Sequence, residues 1–161
     1  MSSIRSRPLL FLIATLVLTA CGDGEENATS TPEGAADASG LTAVELEQGI
    51  GPIRDLELGP VDPDLAARGE AHFTTKCSAC HKLDERYVAP ALGEVLSRRR
   101  PEFVMNMILN ATEMVERHPA TRELLAEFYT PMPVQVTDRD EARAILEYLR
   151  AHQSPADSGS E

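Results

Sequence analysis

Cys77 and Cys80 stand three positions apart, and His81 follows the second thiol directly, in the run Cys77-Ser78-Ala79-Cys80-His81. Two thiols and an imidazole at that spacing suit covalent attachment of a c-type haem. Each thiol can add across one vinyl group to form a thioether, while the adjacent ring reaches the iron as an axial ligand. The competing chemistries are a redox dithiol and a metal clip. A thioredoxin-like dithiol expects a preceding strand within a βαβ unit, and a four-ligand structural metal site needs a second ligand pair. The sequence offers neither, so haem is the favoured reading.

The third cysteine, Cys21, ends Leu18-Thr19-Ala20-Cys21, behind an apolar run from Leu9 to Leu18 that Arg5 and Arg7 precede. A basic start, a short apolar core and small residues at the cut site describe a secretory leader, and the run is half of the about 20 residues needed to span a bilayer. The pattern resembles a bacterial lipoprotein signal. That implies a leader over residues 1–20, cleaved before Cys21, and acylation of Cys21. Several acyl chains, at roughly 0.8 kcal/mol per buried methylene, anchor a protein stably. The alternative is an ordinary leader, or an uncleaved anchor, that leaves Cys21 as a free thiol, a liability in an oxidising compartment. Either way export is expected. The mature protein is placed on the periplasmic side of a bacterial membrane, or on the outer face of the cell membrane where there is no outer membrane.

Loss of such a leader removes two arginines and no acid, and takes the formal charge from -11 to -13. Residues 22–61 hold nine acids against Arg54, whereas residues 62–152 hold fifteen acids against twelve bases. The acidity therefore sits mostly ahead of the main unit. Residues 21–40 lack large apolar side chains and are expected to form a lipid-anchored, disordered acidic linker with a reach of about 25 Å. Residues 41–61 carry Leu41, Val44, Leu46, Ile50, Ile53, Leu56 and Leu58 among acids and glycines. They are expected to pack on the domain, with docking on a partner as the alternative. Residues 153–161 read as a disordered tail.

Residues 62–152 are expected to be all-α, with about four to five helices, since no alternating β-branched run suggests a sheet. Asp62 and Pro63 make an N-cap and first turn for a helix bearing Leu65, Ala66, Gly69 and Phe73 on one face. Thr137 with Asp140 resembles a capping box ahead of a helix whose stripe is Ala142, Ile145, Leu146 and Leu149. Gly69 would let these two helices approach closely. Pro101 and Pro119 each open a helix between them, and a short turn is expected over residues 91–97. A unit of this size has a small core, and haem would add apolar mass.

With these features the chain resembles a class I, single-haem cytochrome c across residues 62–152. The resemblance rests on the helix with Gly69 and Phe73, the motif at 77–81, Pro90, a Met in a proline-rich loop and a terminal amphipathic helix. It implies one covalently attached haem c held by Cys77 and Cys80, with His81 on one face of the iron and usually a Met on the other. It also implies that the Pro90 carbonyl orients His81. Met105, Met107, Met114, Met132 and His118 all lie downstream of His81. Met132 is expected to be the ligand: Pro131 and Pro133 hold it in an extended loop, directly before the last helix, where the family places its ligand. Met105 and Met107 fall on a helix with Phe103 and Ile108 and read as packing. His118 is the other candidate.

A thioether opposite an imidazole favours reduced iron and fills both axial positions, which suits a carrier rather than a catalyst. Lys76, Lys82, Arg86 and Arg98-Arg99-Arg100 bracket the site, either to steer a redox partner or as a solvated face. The chain has no Trp, so the propionate contacts of the family cannot be carried over. The expected function is membrane-tethered transfer of single electrons between respiratory components. The run from Arg100 to Met132 is loosely similar to cytochromes associated with nitrous oxide reductase. The alternative is a haem enzyme or gas sensor with an open sixth position. Redox proteins and a membrane are the expected partners, nucleic acid is not, and a monomer is expected.

Overall fold

The computed structural model describes residues 36–153. Cys21, the leader expected over residues 1–20, most of the acidic linker and the tail from residue 154 lie outside the described residues. Among the described residues, seven helices in chain order are α1 (Ala43–Gln48), α2 (Pro63–Lys76), α3 (Val95–Arg98), α4 (Pro101–Leu109), α5 (Ala111–Arg117), α6 (Pro119–Phe128) and α7 (Arg139–Ala151). Among the described residues the only extended pairing is an isolated bridge between Ala36 and Thr42. No described helix is long and apolar enough to cross a membrane.

Helix α2 starts where Asp62 accepts from the amides of Asp64 and Leu65, with Pro63 in the first turn. It crosses α7, whose Ala142, Ile145, Leu146 and Leu149 are all buried. Burying each of the larger of these side chains is worth roughly 1.5–3 kcal/mol. Gly69 is what lets the helices touch. A Cβ built there would lie 1.9 Å from the Ala144 carbonyl oxygen and 2.9 Å from Cβ of Tyr148.

The α7 cap differs from the expected one. Asp138, not Thr137, is the N-cap, and its carboxylate accepts from the Glu141 amide at 2.8 Å. No box closes there, because the Glu141 carboxylate is directed to His72 and Lys76 on α2 instead. Glu147, fully buried in α7, adds a contact that periodicity does not reveal. It accepts from the Asp62 amide at 2.9 Å and pairs with Arg143 and Arg150. The end of α7 is thereby fixed to the start of α2.

Two helices exceed the expected number. Helix α1 closes with a full capping box: the Thr42 hydroxyl accepts from the Glu45 amide, and the Glu45 carboxylate accepts from the Thr42 amide at 2.9 Å. Helix α5 is separated from α4 by Asn110, whose side chain donates to the Ile50 carbonyl at 3.1 Å. That partner is remote in sequence, so local pattern does not reveal the break. Residues 37–40, at the end of the stretch read as disordered, form a turn in which Asp37 accepts from the amides of Ser39 and Leu41. Gln153 likewise folds back, donating to the carbonyls of Gly93 and Leu149.

Residues 41–58 lie along α4 and α5. Leu41, Ile50 and Ile53 are buried. Asn106, fully buried, accepts from the Ile53 amide at 2.9 Å and donates to the carbonyls of Ile53 and Gln48 at 2.8 and 2.7 Å. Gly51 makes room for it, since a Cβ there would meet the Asn106 Oδ1 at 2.4 Å. Asn106→Ala leaves these buried partners unpaired and is expected to cost about 3 kcal/mol. Amide exchange in residues 48–53 should rise far more than in α7; equal protection in both segments would contradict this.

The Thr42 amide, first, and its hydroxyl hold the Glu45 carboxyl below its ordinary value of 4.5. A lowered carboxyl stabilises the fold fully above that ordinary value and loses its contribution as the pH falls through the folded value. Protection of α1 amides, measured against their intrinsic exchange rates, should therefore fall selectively on acidification below about pH 4.5, and Glu45→Gln should abolish this pH dependence.

Candidate haem site

An apolar cavity of about 550 Å³ is walled by α2 (Phe73), α4 (Phe103, Val104, Met107, Ile108), α6 (Leu124, Leu125, Phe128) and α7 (Ile145, Leu149). Cys77, Cys80, His81, Pro90 and Met132 all line it. Cys77 caps the C-terminus of α2, its amide donating to the Phe73 carbonyl. The next residues turn back on it, with the amides of Cys80 and His81 donating to the Cys77 carbonyl at 3.0 and 2.9 Å. The following loop is held by the amides of Ala89 and Leu92, which donate to the carbonyls of Cys80 and Lys82.

His81 Nδ1 lies 2.9 Å from the Pro90 carbonyl oxygen. A carbonyl only accepts, so the proton sits on Nδ1 and the Nε2 lone pair is free. Burial pushes the ring below its ordinary value, partly opposed by that hydrogen bond. A neutral imidazole with an unprotonated Nε2 is the form that ligates a metal.

Cys77 and Cys80 are both free thiols. Burial, assisted by the Glu141 charge, pushes the Cys77 thiol up to about 11. A redox dithiol needs the opposite displacement. Among the described residues no group of three or more His, Cys, Asp or Glu side chains could hold a metal ion.

On another wall, Thr130, Pro131, Met132, Pro133 and Gln135 face the same cavity. Their segment follows Tyr129, which ends α6 in the left-handed region at φ 54, a conformation that costs a non-glycine residue roughly 1–2 kcal/mol. Of the other candidates for the second axial position, Met107 lines the cavity, whereas Met105, Met114 and His118 do not. His118 is 2 % exposed, and both its nitrogens are used. Nε2 donates to the Leu46 carbonyl at 3.1 Å, and Nδ1 accepts from the Ala120 amide at 3.2 Å. Met114 Sδ accepts from the Ile50 amide.

The cations around the site divide. Lys76 pairs with Glu141 and Arg86 with Glu127, while Lys82 donates to the Ser78 carbonyl. Arg98 and Arg99 line the cavity itself, a placement that a run of three arginines does not reveal.

A mostly apolar cavity flanked by a thiol pair, a pre-oriented neutral imidazole and a methionine loop fits a covalently held haem and defines a c-type haem protein. Residues 66–153 match the Cytochrome c family, to which the chain belongs. Cytochrome c-551 of Stutzerimonas stutzeri is 30% identical over 90 residues, 55% of this chain and 81% of the relative. The solved cytochrome c from Rhodothermus marinus is 45% identical with a TM-score of 0.64, covering 67% of this chain and 94% of its own. An engineered form of that protein, bound to a carbene intermediate, is also 45% identical, with a TM-score of 0.61 over 67% of this chain and 95% of its own. The family carries a covalently bound haem c, the Cys77 and Cys80 pair fits its attachment motif, and membership supports a haem electron carrier.

Proposed function

We propose that the chain is a membrane-tethered, single-haem carrier of single electrons between respiratory components outside the cytoplasm, with His81 and Met132 as axial ligands. The observation that carries this reading is the convergence of Cys77, Cys80, His81 and Met132 on one apolar cavity. When bound, the haem supplies a one-electron couple, which thioether ligation biases toward the reduced state. Cys77 and Cys80 fix its edge, and Pro90 holds the His81 ring through Nδ1. Leu124, Leu125 and Phe128 supply apolar wall to the cavity. Redox protein partners follow from the function. A terminal reductase such as nitrous oxide reductase is the acceptor suggested by the run from Arg100 to Met132.

Purified protein made with a haem-attachment system tests the carrier reading. One covalent haem by mass, and no carbon monoxide binding by the reduced protein, support it; ready carbon monoxide binding would replace it with a sensor or enzyme. One observation favours keeping that second reading in view. Among the described residues, 130–137 make no hydrogen bond, so the Met132 loop rests on its prolines and on buried Val136. The engineered relative that holds a carbene points the same way.

The tether is a proposal on Cys21. Cys21→Ser is expected to move the protein from the membrane fraction to the soluble fraction, and a variant that stays wholly membrane-bound would contradict lipidation.

A further inference from the structure

Helix α6 is a lightly held wall of the cavity. Among the described helices its backbone packs only against α5, and its side chains Leu124, Leu125 and Phe128 line the cavity. The segment that follows carries Met132 and, over residues 130–137, makes no hydrogen bond among the described residues. Tyr129 joins the two at φ 54. A loop without hydrogen bonds of its own opens easily and takes its position from its ends. One end of this loop is the last turn of α6.

Arg86, on the loop between His81 and Pro90, grips that turn in three ways. Its Nη1 donates to the Glu127 carboxylate, its Nη2 donates to the Glu127 carbonyl oxygen at 3.3 Å, and its guanidinium lies over the Phe128 ring, 4.0 Å from the centroid. A planar fork of donors that also stacks on an aromatic face can do all three at once; an ammonium cannot. Arg86, Glu127 and Phe128 all line the cavity. The contact therefore closes the rim between the wall that attaches haem and the wall that leads to Met132. Both charged side chains are more than half exposed, and an exposed pair adds little to overall stability. What it fixes is local: the direction in which α6 ends and the Met132 loop begins.

We propose that Arg86 is a positioning residue for the axial methionine, a clasp across the cavity rim that keeps Met132 on the iron. The proposal deepens the carrier reading and rests on the assignment of Met132 as ligand. Without the clasp the end of α6 lifts, Met132 detaches more often, and the sixth position opens to added ligands.

The test titrates imidazole into ferric holoprotein, where it competes with Met132 for the iron and its binding is read as loss of the thioether-to-iron band. Apparent affinity rises with the fraction of molecules whose Met132 is detached, so R86Q should bind imidazole about tenfold more tightly than the wild type. Its Tm should stay within about 2 °C of the wild type, as expected for an exposed pair. R86K, which keeps the charge but neither the fork nor the stacking, should lie between R86Q and the wild type. E127Q should add little to R86Q in the double variant, because the two residues share one contact. R117Q removes a comparably exposed pair with Glu113 that does not line the cavity, and it should match the wild type. Imidazole affinity unchanged in R86Q, or raised equally in R117Q, would overturn the proposal. So would tighter binding accompanied by a Tm lower by more than about 5 °C, which would make Arg86 a residue of the fold and not of the ligand. A wild type that lacks the thioether band would instead overturn the assignment of Met132, and one without covalent haem would overturn the cofactor itself.

Discussion

Met132→Ala is expected to abolish the ferric thioether-to-iron absorption band and let the reduced protein bind carbon monoxide, while leaving the haem covalently attached. Cys77 and Cys80 line a different wall of the cavity from this loop, and nothing in residues 130–137 hydrogen-bonds to them. The midpoint potential should also fall. Each tenfold preference of a ligand for ferrous over ferric iron is worth about 59 mV in a one-electron couple, so a preference of about a hundredfold gives a drop on the order of 100 mV. Met107→Ala is the control. Met107 shares the cavity but sits on a regular turn of α4, and its loss should leave the band in place. If Met107→Ala removed the band and Met132→Ala did not, the ligand assignment would be reversed.

Gly69→Ala should be the most damaging single substitution to the fold. Alanine gains about 1 kcal/mol over glycine in a helix interior, yet here its Cβ would fall 1.9 Å from the oxygen and 2.5 Å from the carbon of the Ala144 carbonyl. Both atoms are backbone in the middle of α7, so no rotamer change relieves the contact and the helices must separate. Separation would loosen Phe73, Ile145 and Leu149, all of which line the haem cavity. A net loss of about 3 kcal/mol is expected, or a Tm lower by roughly 10–20 °C for a domain of this size. A variant melting within about 2 °C of the wild type would show that the crossing is not tight.

Much of this was legible one residue at a time. Asp62 with Pro63 marked the start of α2, the prolines at 101 and 119 marked those of α4 and α6, and the apolar stripe of α7 was plain at a 3.6-residue period. The difference at α7 is a single-residue slip between two adjacent capping residues, decided by the Asp138 carboxylate, which accepts from the Glu141 amide. Helix α5 depends on pairings remote in sequence, whereas α1 carries a local signal that could have shown it, Thr42 with Glu45 three residues on. Asn106 and Asn110 bind backbone of residues 48–53 across α4, and local pattern shows each only as a polar residue interrupting an apolar run. Glu147 is the same kind of interruption in α7, satisfied by Asp62 from the far end of the chain.

The sequence by itself determined the cofactor, because thioether attachment needs two thiols and a ligand within five consecutive residues, and it determined the helical class, because hydrophobic period is a local property. Tertiary structure alone decided which side chains reach the cavity. Met132 and Met107 do and Met105 and Met114 do not, His118 has both nitrogens engaged, and two of three consecutive arginines face the site. The reason is that facing depends on how helices cross, and the crossing is set at Gly69 by the closest approach of two backbones about 75 residues apart, a distance over which no local pattern carries information.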